Sequence, residues 1–161
     1  MSSKESSSWL KKSYWGFVKG ENFIRHLLLF VIRIYWGSLL VISGLGKLTH
    51  VDHVVSYFTT LELPNPTLFA YGVGCLELIG GASLFLGLFS RFFGLLLSIL
   101  LIGAYVTAHK EAALQIFSNP QLFIQQEPFL YLYTALLIVS FGPGMFSLDY
   151  WIERKEFGEA L

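Results

Sequence analysis

The sequence predicts an all-α integral membrane protein, an up-down-up-down four-helix bundle with both termini cytoplasmic. Three observations lead there. Charged residues make up 14% of the chain, against roughly 25% in an ordinary soluble domain. Four long apolar blocks recur along it. Prolines open two of these blocks and a "GPG" closes the last, which is the punctuation of helices. The expected organisation is a cytoplasmic or interfacial segment over residues 1–26, a transmembrane domain over 27–145, and a cytoplasmic tail over 146–161. The spanning helices are expected at about residues 27–48, 67–89, 91–108 and 127–142.

The N-terminal lead "SWLKKSYWGFVKGENF" interleaves Trp9, Tyr14, Trp15 and Phe17 with lysines, a composition suited to a helix lying in a headgroup layer or to a disordered tail. It does not read as a cleaved signal peptide, because the apolar block behind it is too long for an h-region and no small-residue cleavage pattern follows. The first block, "LLLFVIRIYWGSLLVISGLG" (residues 27–46), is interrupted only by Arg33. The second, residues 67–89, follows Pro66 and contains Glu77. The third, "FFGLLLSILLIGAYVTA" (residues 92–108), has no charge. These three meet the ~20 residues a spanning helix needs. The fourth, "PFLYLYTALLIVSF" (residues 128–141), is shorter and needs its flanks to cross. Only Ser90 and Arg91 separate the second block from the third, so those helices form a tight antiparallel hairpin. The tail "LDYWIERKEFGEAL" reads as a short amphipathic helix.

Orientation follows from the basic residues. Lys4, Lys11, Lys12, Lys19, Arg25, Arg91, Arg154 and Lys155 fall on one side, and Lys47 and Lys110 on the other, which places the termini inside. Acidic and basic residues balance, so no attraction to nucleic acid is expected. The single cysteine, Cys75, excludes an internal disulfide and multi-cysteine metal motifs.

The chemistry is expected inside the membrane. Arg33, Gly37, Leu40, Gly44 and Lys47 form one stripe of the first helix, and Ala70, Gly74, Glu77 and Gly81 one of the second. The glycines Gly37, Gly44, Gly74 and Gly81 would let the two backbones approach closely. Counting from Arg25 and Phe89 as cytoplasmic edges, Arg33 lies ~12 Å deep and Glu77 ~18 Å deep. That offset of ~6 Å is within side-chain reach. The expected core is an Arg33–Glu77 ion pair with Lys47 approaching from above. It would be either a clamp on helix register or a proton-exchanging or headgroup-contacting site. A second pair, Arg91 with Asp149, is expected at the cytoplasmic face. An outer cluster of His50, Asp52, His53 and His109 matches no zinc spacing, so no metal is expected there.

The fragments "RIYWGSLLVISGLGKL", "LELPNP", "CLELIGGASLFLGLFSR", "AYVTAH" and "EPFLYLYTALLIVSFGPGMFSLD", in this order, resemble the DoxX family of small bacterial four-helix membrane proteins, over residues 32–149. The resemblance implies the bacterial inner membrane and association with respiratory or redox complexes. Its relatives include a subunit of a quinone-linked thiosulfate oxidoreductase and a partner in a membrane oxidative-stress complex. The family's recurring positions fall on Arg33, Gly37, Gly44, Lys47, Glu77, Gly81, Arg91 and Asp149, with His109 matching a frequent histidine. The segment "KEAALQIFSNPQLFIQQ" departs from the short loop the family leads one to expect. The functional expectation is an accessory subunit of a quinone-linked redox or oxidative-stress complex, with no permanently bound cofactor and quinone as a transient one. Its partners would be the lipid bilayer, other membrane or redox-complex proteins, or further copies of itself. A non-enzymatic scaffold or assembly factor is the alternative. A small transporter fits less well, because the third block is unbroken.

Overall fold

The computed structural model describes the backbone of residues 3–158 and the side chains of residues 20–156. The described residues form helices joined by turns, without strands: α1 (Ser3–Thr49), α2 (Val51–Thr60), α3 (Pro66–Leu86), α4 (Ser90–Thr107), α5 (Lys110–Leu114), α6 (Pro120–Ile124), α7 (Pro128–Phe141) and α8 (Leu148–Phe157). Three stretches are long and apolar enough to cross a membrane: Gly20–Thr49, Pro66–Leu86 and Ser90–Thr107. The fourth apolar block is the shorter helix Pro128–Phe141. The interfacial role expected for residues 1–26 rests mostly on side chains outside the described ones.

Local signals explain the boundaries. Pro66, Pro120 and Pro128 each open a helix, where a missing N–H costs nothing. At the end of α3 the chain turns left-handed at Gly87 (φ +72°). The N–H of Gly87 donates to Ser83 O at 2.9 Å, and that of Leu88 to the same oxygen at 3.0 Å, so a glycine-terminated cap satisfies the last carbonyls. At the start of α4, the Asp149 carboxylate accepts the N–H groups of Phe89 (2.7 Å) and Ser90 (2.9 Å). This cap reaches α4 from 59 and 60 residues away.

Helices α1 and α3 pack antiparallel, α4 returns along α3, and α7 lies on α4 and touches α1. Their shared core is Leu40, Leu84, Leu97, Leu101, Ala135 and Ile138. Outward faces are apolar as well: Val31, Ile42, Leu68, Ile79, Leu95, Ile99 and Val106 are all exposed. Charge is turned inward, with Arg33 1% and Glu77 7% exposed. A chain greasy outside and charged inside is built for lipid. Aromatic contacts tie α7 and the insert after α4 to this frame. The Trp36 and Tyr131 rings meet edge to face at 5.2 Å, and Tyr105 stacks on Phe123 at 4.2 Å while donating its hydroxyl to Phe123 O at 2.8 Å.

Candidate functional site

The site is set by the register of α1 against α3. Gly37 faces the backbone of residues 81–85 and Gly44 that of residues 74–78. A Cβ on Gly44 would stand 2.5 Å from Leu78 N and 2.8 Å from Gly74 O, so only glycine allows this approach. Gly81 is equally tight, with a Cβ meeting Leu40 Cβ at 2.7 Å and Val41 N at 2.8 Å. A Cβ on Gly74 would meet Leu48 at 2.9 Å. The four glycines singled out in the sequence thus line one seam.

That register decides which cation meets Glu77. Lys47 Nζ lies 2.6 Å from Glu77 Oε2 and 2.7 Å from Ser43 Oγ, and Ser43 in turn donates to the same carboxylate oxygen at 3.0 Å. The expected Arg33–Glu77 pair does not form. Arg33 comes level with Gly87, ten residues and so roughly 15 Å along α3 from Glu77. The depth estimate fails at its starting point, because α1 runs on below Arg25 as unbroken helix. The level of Phe89 on α1 falls near Val31 instead of Arg25. Ser43 was missed, although it stands four residues before Lys47 on the same helix face.

Arg33 has a different role. Its NH1 donates to Pro143 O and its NH2 to Phe146 O, both at 2.6 Å. The guanidinium thus holds the loop that follows α7. A Cβ at Gly87 would stand 2.7 Å from Arg33 NH1, so this glycine supplies both the left-handed turn and the space for the cation. Arg33 Nε and Ser90 Oγ are buried without a partner among the described residues. The expected Arg91–Asp149 bridge is likewise absent among the described residues. Asp149 is occupied by the α4 cap, and the Arg91 guanidinium lies against Gly142. The outer histidines separate too. His50 Nδ1 contacts Gly46 O at 3.2 Å, Asp52 and His53 stand exposed on α2, and His109 turns towards Tyr105. No group of three or more potential metal ligands forms among the described residues.

The Lys47–Glu77 pair lines a cavity of about 560 Å³, a size suited to a small-molecule site. Leu40, Val73, Leu100 and Leu101 give it apolar walls, Tyr57 and Phe58 of α2 stand at one side, and His109, Glu127 and Tyr131 add polar groups. The ammonium of Lys47 has three protons, of which Ser43 and Glu77 take two among the described residues. Both bonds to the carboxylate fall on Oε2. Oε1 has no partner among the described residues, yet it is not among the buried, unpartnered atoms, so it keeps surface towards the cavity. One donor and one acceptor are therefore left over among the described residues, on two side chains that line the same largely apolar chamber. The sequence puts His109 in an outer cluster apart from Glu77, and the approach of Glu127 and Tyr131 depends on how α7 packs.

Comparison with known proteins bears on this arrangement. The family model described as DoxX matches residues 28–110, which contain the α1–α3 seam, Arg33, Lys47 and Glu77. The chain belongs to the DoxX family. The model match ends at Lys110, where the long segment 110–126 begins, and so stops short of the fourth block included in the resemblance. This DoxX protein is 29% identical over 119 residues to the Bacillus subtilis (strain 168) protein named "Putative oxidoreductase CatD", covering 74% of this chain and 82% of that one. No solved structure matches it significantly.

Proposed function

We propose that this DoxX protein is an accessory membrane subunit of a quinone-linked redox complex. It would span the bacterial inner membrane four times with both termini in the cytoplasm. Its cavity would receive the head of a lipid-soluble quinone. The observation that carries the reading is the Lys47–Glu77 pair, with its spare N–H and spare carboxylate oxygen in an apolar chamber. A quinone carbonyl accepts from the former, and a quinol hydroxyl donates to the latter. The relative's name, "Putative oxidoreductase CatD", supports the same direction. The subunit would contribute contact and placement, with electrons supplied and stored by its partners.

The basic residues around α8 and the α3–α4 turn support cytoplasmic termini. The apolar α7, lengthened by its flanks, supports a fourth crossing.

The test is purification in mild detergent, extraction of lipid-soluble cofactors and identification of co-purifying proteins. Bound quinone that is lost on Glu77→Gln, while the partner is retained, supports the reading. A partner retained with no quinone in either preparation would make the protein a scaffold instead.

A further inference from the structure

Glu77 shares its cavity with titratable groups from every helix around it. Lys47 comes from α1, Tyr57 from α2, His109 from just past the end of α4, Glu127 from the N-cap of α7 and Tyr131 from α7 itself. These groups form a graded series. Glu77 is the most buried, Lys47, His109 and Tyr131 are half-buried, and Glu127 and Tyr57 are exposed. Glu127 and Tyr131 stand four residues apart at the start of α7, and both line the same cavity as the buried carboxylate. The volume of about 560 Å³ exceeds by more than tenfold the ~30 Å³ that one water occupies in the liquid, and the polar groups give water partners. Among the described residues, the seam is closed in the other direction. Below Glu77 the α1–α3 seam is closed by Gly37 and Gly81 in backbone contact, and the Leu40–Leu84–Leu97 core fills the space beside it.

We infer that Glu77 exchanges protons with the aqueous phase at the α2 and α5 end of the molecule, through this cavity and past Glu127 and Tyr131. A proton leaves a hydronium ion at the rim for the Glu127 carboxylate. It passes along cavity water and the Tyr131 hydroxyl, each releasing one proton as it takes another, and forms the new O–H bond at Glu77 Oε1. Lys47 keeps its own protons throughout. Its side chain, 29% exposed, is solvated by the cavity while Glu77 is neutral. This rests on the membrane placement proposed above and on no particular ligand.

The test uses the full chain in quinone-free liposomes, with sidedness scored by protease access to the C-terminal tail. In a Cys75→Ser background, Ser43→Cys is expected to react with a membrane-impermeant thiosulfonate from the α2 face and not from the α8 face. The Glu77 carboxyl band in infrared difference spectra, identified by its shift in Glu77→Asp, is expected to respond to a pH step on the α2 face and not to one on the α8 face. Its exchange should slow about tenfold or more in the Glu127→Gln, Tyr131→Phe variant. Reaction from the α8 face alone, or no reaction from either face, overturns the inference. So does a band indifferent to pH steps on the α2 face. Unchanged exchange in the double variant overturns the route through Glu127 and Tyr131. Failure to find bound quinone would sink the ligand reading and leave these measurements standing.

Discussion

The ammonium of Lys47 sits 2.6 Å from Oε2 of Glu77, and Ser43 joins both of them. Three side chains on two helices thus share one charge pair.

Removing one partner strands the other. Lys47→Met and Glu77→Gln are each expected to lower stability by about 2 kcal/mol, less than for a fully enclosed pair because Lys47 is partly exposed. The double variant should recover much of the loss. Thermal unfolding of the four proteins in one detergent checks this; a double variant that loses the sum of the singles would show that the pair is not coupled.

Two glycines two residues apart should respond in opposite directions. Gly44→Ala drives a methyl into the α3 backbone and is expected to cost about 1–3 kcal/mol. Gly46 has open space around it, so Gly46→Ala should be neutral or stabilise by up to ~1 kcal/mol through helix propensity. Unfolding midpoints of the two variants make the comparison.

Arg33→Lys should fail almost as fully as Arg33→Met. A single ammonium cannot reproduce a guanidinium fork aimed at two carbonyls, Pro143 O and Phe146 O. Hydrogen exchange and limited proteolysis over residues 142–148 should report loosening in both variants, with the α1–α3 seam still protected.

Asp149→Ala removes the acceptor of the Phe89 and Ser90 N–H groups and is expected to cost about 1 kcal/mol. Asp149→Asn keeps one acceptor oxygen and should lose less. Faster amide exchange at Phe89 and Ser90, with the middle of α4 unchanged, is the expected signature.

The apolar blocks, the helix-opening prolines and the glycine seam were legible in the sequence because each depends on local spacing. The pairing of charges was not. It depends on the antiparallel register of α1 against α3, which the sequence does not anchor because α1 runs on past Arg25 as unbroken helix. Helix α2 also escaped notice, since "HVDHVVSYFTT" is too short and too polar to announce itself, and its apolar side has meaning only against the cavity. Glu127 and Tyr131 read as the start of a helix, and only the packing of α7 brings them near Glu77. The partners of Asp149 were not legible either, because a side chain capping a helix some 60 residues away leaves no trace in spacing.

The hold of Arg33 on the loop after α7 bears on how the protein is made. The cation leaves the ribosome in the first apolar helix, and the two carbonyls that satisfy it lie 110 and 113 residues later. Until that last loop arrives, the nascent chain carries an unsatisfied guanidinium at the membrane, and water or the insertion machinery must shelter it. Biogenesis therefore has a built-in completion step, in which the earliest segment settles only when the latest one docks. A chain truncated before Pro143 would be an incomplete membrane client exposed to quality-control proteolysis.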